Sequence, residues 1–238
     1  MEPQLFAPAV GDGFLHTSPE FSLKRVLASG LPKIYAICPC FREEEWGPLH
    51  SAEFTMVEWY RAGCGYREMM DEVKALFCLS AEVLGEVIPP FEAMSHAEAY
   101  LRFTGRPAPL DGLESQRVWV NDIEPRLQSP TFIFDYPAEE AAFAQVRGAV
   151  AERFELFYKG VELANAFSEL LDSSELAERW AANNREREIA GHAPHPVDKR
   201  LLDAVSEHPR AGGVALGFDR LFYVLAGLKD IREGQVPG

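Results

Sequence analysis

Positive charge is what this chain has least of. Its 23 Lys and Arg stand against 37 Asp and Glu, a formal net charge of −14 at pH 7. Such a balance offers no broad basic face to a nucleic-acid backbone and suits a partner that carries a basic patch. Cysteine is scarce too. Cys38, Cys40, Cys64 and Cys78 show neither paired C-x-x-C spacing nor a secreted disulfide framework, so reduced thiols are expected, with Cys38 and Cys40 read as strand packing. No apolar run reaches the roughly 20 residues of a membrane span. The N-terminus lacks a basic region followed by an apolar one. Repeats and low-complexity tracts are also missing. These absences exclude a membrane protein and set the expectation of a soluble, cytoplasmic chain.

What is present is enough apolar residue for a large core. With 238 residues and 47% hydrophobic content, residues 1–238 are expected to form a single domain. In "TSPEFSLKRVLASG", Ser18 reads as an N-cap, Pro19 as the first helical residue and Gly30 as the position just past the end. "KIYAICPCFR" and "EFTMVEWYRA" read as two strands of an antiparallel pair joined by a long polar loop. Helical spacing of Met69, Met70, Val73, Leu76, Phe77, Leu79 and Val83 predicts a helix from Tyr66 to about Val87. The segment from Pro107 to Ser129 reads as a linker or inserted loop. Beyond it "TFIFDYP", "RFELFYKG" and "VELANAFSELL" read as strands, the last two turning at Lys159 and Gly160. A helix capped by Ser173 or Ser174 follows, and then a strand running into a helix in "GVALGFDRLFYVLAGL". Some six strands with helices outside predict an α+β fold with a mainly antiparallel sheet.

One stretch asks for a ligand. "CFREEEWGPLHSAEFTMVEWYRA" sets acids, an arginine and a histidine beside strands that otherwise read as sheet interior. A charge withdrawn from water costs several kcal/mol unless it meets an opposite charge, so these residues expect a charged partner.

Four motifs, "TSPE", "FREEEWGPLHSAEFTMVEWY", "RFELFYKGVELANAFSELLD" and "GVALGFDRL", appear in the order found in class II lysyl-tRNA synthetase catalytic cores, and the chain resembles that family across nearly its whole length. Within it, "PTFIFDYP" and "NNREREIAGHAPHPVDKRLLDAV" are most similar to the elongation factor P lysine ligases, free-standing paralogues that attach a lysine-type residue to a lysine of that translation factor. The resemblance implies a class II antiparallel sheet flanked by helices. It also implies ATP and Mg²⁺ as cofactors, lysine or β-lysine as substrate and elongation factor P as acceptor.

Residue by residue, the resemblance implies an ATP site. Arg42, the motif 2 arginine, would hold the α-phosphate and the attacking carboxylate, and Arg220, the motif 3 arginine, the γ-phosphate; these two are the candidate catalytic residues. Glu44 and His50 would lie near the adenine and the terminal phosphates, Phe54 would stack on adenine, and Glu155 and Glu162 would hold Mg²⁺. Hard carboxylate oxygens suit that ion. On their own, Arg42 reads equally as a strand-end partner of Glu44, Phe54 as core, Glu155 and Glu162 as solvated acids, and Arg220 as a partner of Asp219.

For the amino acid, Glu58, Tyr60 and Glu169 would surround the side-chain ammonium, Glu20 the other amino group and Asn165 the carboxylate, with Ser18 in the same pocket. Collected acids select a diamine. Ala215 stands where tRNA-charging enzymes carry glycine and the elongation factor ligases carry alanine, a methyl that changes shape rather than charge and would favour a β-amino isomer by a modest factor. Ala166 replaces a usual glycine and is expected to crowd the amino acid or strain the backbone. His192, His195 and the arginines of "NNREREIAG" read as loop and solvated helix face.

No motif 1 helix and strand precede "TSPE", which leaves a homodimer without its usual interface element, and no anticodon-binding barrel is expected. With net negative charge, tRNA is disfavoured as a partner. Two alternatives stand beside the ligase: an adenylate-forming enzyme with another acceptor, and a catalytically silent module that binds lysine or ATP.

Overall fold

The computed structural model describes residues 5–43, 47–207 and 209–235. A short hairpin, β1 (Ala9–Val10) and β2 (Gly13–Phe14), leads into α1 (Glu20–Ala28). Strands β3 (Lys33–Phe41) and β4 (Glu53–Ala62) follow, then α2 (Tyr66–Leu84), β5 (Glu92–Ser95), α3 (His96–Thr104) and α4 (Gly112–Val118). The second half comprises β6 (Thr131–Pro137), β7 (Val146–Arg147), β8 (Val150–Tyr158), β9 (Val161–Ser168), α5 (Ser173–Ile189), α6 (Lys199–Val205), β10 (Ala211–Gly217) and α7 (Phe218–Ala226). Seven strands run in the order β3-β4-β10-β9-β8-β6-β5 and β7 joins β8, an eight-stranded sheet whose β5 to β6 pairing alone is parallel. The predicted α+β fold with a mainly antiparallel sheet is therefore what the chain forms.

Helices α2 and α7 bury one face of that sheet. Met69, Val73, Phe77 and Ala81 of α2 and Leu221, Val224 and Leu225 of α7 meet Phe154, Leu156, Ala164, Ala166, Val214 and Leu216. The spacing 69, 73, 77, 81 puts one α2 residue per turn on the sheet, and Gly85 at φ 74° closes the helix. The other face is covered only in part. Leu23 and Leu27 of α1 pack on Tyr60 and Ala211, while α3 and the helical turns after α4 bury a second cluster around Tyr100, Ile123, Ile133 and Phe157.

Several local expectations change. Helix α1 starts one residue later than predicted, with Pro19 at the cap position and no side-chain cap. The Ser18 hydroxyl still accepts the Glu20 N–H at 2.9 Å, but it also donates to Glu58 at 2.6 Å, and the second bond draws it toward the sheet. The segment read as a linker is helical: α4, a π turn over Trp119–Ile123 and a 3₁₀ turn over Glu124–Arg126. Asp111 caps α4 through the Glu114 N–H, and the Tyr100 hydroxyl donates to the Ser115 carbonyl, a tertiary tie invisible to periodicity. Asp172, not Ser173 or Ser174, caps α5. Arg187 of that helix is buried rather than solvated and donates to the carbonyls of Ala193 and Leu5.

Ala166 is also corrected. Its side chain is fully buried in the cluster under α2 and α7, on the sheet face opposite Asn165, and it is absent from the residues with positive φ. The methyl therefore packs the core and neither crowds the Asn165 face nor strains the chain. Ala166→Gly is expected to destabilise the fold by about 1 kcal/mol, from lost burial and added chain entropy, in urea unfolding; unchanged stability would contradict this placement.

Candidate active site

Directly opposed residues in an antiparallel pair share a face, so register decides which side chains meet. One row crosses five strands, from Glu155 through Asn165, Ala215 and Glu58 to Ala36. The next row runs Arg153, Phe167, Gly213, Tyr60, Ile34. Both lie on the face away from α2. The residues expected around an amino acid and those expected around a metal thus share one sheet face, separated only by Asn165 and Ala215.

The acidic end is assembled by β4, the end of β9 and α1. Glu58 is fully buried and accepts from the Ser18 hydroxyl at 2.6 Å and the Tyr60 hydroxyl at 3.3 Å. Burial, reinforced by the Glu20 charge, pushes its carboxyl up to about 8. Glu169, 2% exposed, lies one residue past β9, where its N–H is fixed on the Ala211 carbonyl. Its carboxyl is raised to about 7 by burial, with Lys24 pulling the other way. Burial would also raise Glu20, yet the Lys24 charge holds it below the usual value. Lys24 lies 2.6 Å from both Glu20 and Glu169. Gly213 makes this packing feasible, because a Cβ there would collide with Glu169 Oε1 and the Tyr60 ring.

Asn165 and Ala215 form the floor. Arg153 Nε donates to Asn165 Oδ1 at 3.2 Å, which leaves the amide NH₂ as the end able to donate to a carboxylate. Ala215 stands between Asn165 and Glu58 in the same row.

The other end carries the cations. Arg42 leaves β3 with its guanidinium 5.0 Å from the Phe54 ring, and Phe54 is half-buried rather than core. Such a ring under a cation presents a flat stacking surface. Glu44 lies outside the described residues. Arg220 Nη2 is 2.8 Å from His50 Nε2, and its Nη1 reaches the Glu162 carbonyl at 3.3 Å and carboxylate at 3.6 Å. Asp219, the alternative partner weighed from sequence, instead accepts the Thr55 N–H.

Glu155 and Glu162 share one sheet face because of a bulge between Leu156 and Phe157, which shifts Glu162 opposite Phe157 and brings Leu163 into the core beside Ala164. Glu155 accepts from the Tyr136 hydroxyl at 2.6 Å and pairs with Arg153. Glu124, from the 3₁₀ turn, is close enough to Glu162 that burial and that charge raise its carboxyl to about 7. Glu155 and Glu162 bring hard carboxylate oxygens, the donor type that suits Mg²⁺, to one sheet face, without a preassembled three-ligand acidic cluster among the described residues.

Sequence reading missed Arg153, Tyr136, Glu124 and Lys24. Arg153 and Tyr136 flank motif residues in "RFE" and "FDYP"; Glu124 sat in the segment taken for a loop. His16, Cys38 and Cys40 place ligand-type atoms within 4.8 Å of one another. His16 Nε2 is engaged by the Pro39 carbonyl at 2.8 Å, and burial raises both thiols, so they stand as neutral groups at the sheet edge.

A family model of tRNA synthetases class II (D, K and N) matches residues 3–236. The chain belongs to that class II tRNA synthetase family, whose chemistry is ATP-dependent aminoacylation. No helix among the described residues is long and apolar enough to cross a membrane.

Glu58 makes stability depend on pH with a definite sign. Its folded-state pKa of about 8 lies above the ordinary 4.5, so the folded chain holds a proton the unfolded chain has lost, and stability falls as pH rises through that window. Glu58→Gln is expected to gain on the native protein steadily from pH 5 to 8 in thermal unfolding; a constant difference would contradict the shift.

Proposed function

We propose that this chain activates lysine or (R)-β-lysine with ATP as an aminoacyl adenylate and transfers it to a lysine side chain of elongation factor P in the cytoplasm. The observation that carries this reading is the acidic end, where buried Glu58 and Glu169 and half-buried Glu20 of α1 gather over one sheet face on the same side as Asn165. A pocket for aspartate or asparagine would need a cation or an amide donor turned toward the ligand, whereas the Lys24 ammonium there is engaged by Glu20 and Glu169. A diamine answers three carboxylates.

The substrate carboxylate is already the nucleophile, so the first step needs alignment and charge neutralisation rather than a base. One carboxylate oxygen attacks the α-phosphorus, the bond to the bridging oxygen breaks, and pyrophosphate leaves. Glu58, Tyr60 and Glu169 would hold the side-chain ammonium, Glu20 the second amino group and the Asn165 amide the carboxylate, which orients it toward Arg42. The Arg42 fork suits the α-phosphate and attacking oxygen together, while Phe54 offers its face to adenine. Arg220, steadied by His50 and Glu162, would take the terminal phosphate. Glu155 and Glu162 would hold Mg²⁺, which would supply neutralisation of phosphate charge. In the second step a neutral lysine amine of the acceptor attacks the acyl carbon and AMP leaves. A basic acceptor surface fits the charge of −14.

Amino-acid-dependent ATP–pyrophosphate exchange tests the first half-reaction. Exchange is expected with L-lysine or (R)-β-lysine, less with ornithine and none with aspartate, and Arg42→Ala should lower it by about 100-fold or more. Exchange with aspartate alone, or with none of the four, would overturn the reading.

A further inference from the structure

One basic side chain stands inside the acidic pocket. Lys24 lies on α1, four residues after Glu20, and is only 6% exposed. Its Nζ is 2.6 Å from Glu20 Oε1 and 2.6 Å from Glu169 Oε2, and it sits 5.2 Å over the Phe143 ring. A single ammonium therefore ties a helix carboxylate to a carboxylate at the end of the central strand β9. Glu169 Oε1 is buried with no hydrogen-bond partner among the described residues and lies over Gly213 beside Tyr60. One oxygen of Glu169 is spent on Lys24 and the other is presented to whatever enters.

We propose that Lys24 is a positioning residue, whose ammonium holds Glu20 and Glu169 in place and favours their ionised forms, so that an incoming second ammonium meets oxygens already fixed. This rests on the reading of a diamino acid substrate given above. The charge count supports it. Once a bound diamine has displaced the remaining protons from Glu58 and Glu169, three carboxylates and Lys24 leave two net negative charges, which match the two ammonium groups of lysine or its β-isomer. Without Lys24, three buried carboxylates would crowd together and protonate rather than stay charged, because like charges in a low-dielectric site raise one another's pKa.

The groups facing Lys24 are Glu20 from its own helix, Glu58 and Tyr60 from β4, and Glu169 with the Phe143 ring. On α6, which packs against α1, Asp198 is taken by Arg25. Burial alone would lower the Lys24 ammonium, but Glu169 and Glu20 hold it well above its ordinary value, so it acts as a fixed charge across the working pH range.

Two measurements test this. In the ligand-free protein, side-chain carboxyl NMR titration should show the Glu20 and Glu169 midpoints about one pH unit or more higher in Lys24→Met than in the native chain, with Lys24→Arg near native. In exchange assays, the KM for lysine in Lys24→Met should be about 100-fold above native at pH 6.5 and approach native at pH 8.5 as the acids ionise unaided, with kcat less affected. Unshifted midpoints, or a KM ratio that is the same at both pH values, would overturn the proposal. Should Lys24→Met fail to fold, the native chain alone decides: Glu20 must titrate below the ordinary glutamate range, and a midpoint at or above it overturns the role. Shifted midpoints in a protein that exchanges with no diamino acid would support Lys24 as counter-ion while removing the substrate reading.

Discussion

Withdrawing carboxylates from water onto the face of a sheet is the constraint around which the rest of this molecule is arranged. Each such group carries a desolvation penalty of several kcal/mol that only hydrogen bonds, a counter-ion or a proton can offset. Glu58 takes a proton and two hydroxyl donors, Glu20 takes Lys24, and Glu169 shares Lys24 while one of its oxygens stays without a partner. Three acids resolved in three ways make a pocket whose charge is latent. An ammonium ligand draws it out.

The scaffold explains why these acids can sit so close. Backbone pairing fixes the rows, so Glu58, Ala215 and Asn165 hold their spacing whatever the side chains prefer. Gly213 removes the Cβ that would push Tyr60 and Glu169 apart. Helix α1 then brings Ser18, Glu20 and Lys24 down onto the same face, anchored by Leu23 and Leu27. On the far side of Asn165, Arg153 holds Glu155 and the bulge after Leu156 turns Glu162 toward Arg220. Glu58 and Glu155 stand in one row with two strands between them, and the cations lie elsewhere along the sheet, Arg42 over Phe54 and Arg220 beside His50 and Glu162. Acidic and cationic groups thus occupy separate places, as a reaction that joins a cationic amino acid to an anionic phosphate requires.

Much of this was legible in the sequence because the signals were local. The alternation in "EFTMVEWYRA" gives β4, the apolar spacing of 69, 73 and 77 gives α2, and the motif residues on strands, Glu58, Tyr60, Glu155, Asn165 and Ala215, share one face because alternation sets it. What failed to show was tertiary. Ser18 is a cap residue by type, yet its hydroxyl is also committed to Glu58, forty residues away. The helical turns of 112–126 owe their place to Asp111 and Tyr100 rather than to periodicity. Ala166 was read one face wrong in its consequence: alternation puts it opposite Asn165, in the core. Lys24 went unread because its two partners lie on an adjacent turn and just past a distant strand end.

The account's central claim is that the pocket holds its acids partly protonated until an ammonium arrives. Calorimetric titration of the native protein with lysine at pH 7, repeated in buffers of different ionisation enthalpy, measures that directly. With Glu58 at about 8 and Glu169 at about 7, binding should release about one proton per amino acid, seen as a binding enthalpy that varies with the buffer. Binding with no proton released, or with a proton taken up, would contradict the account.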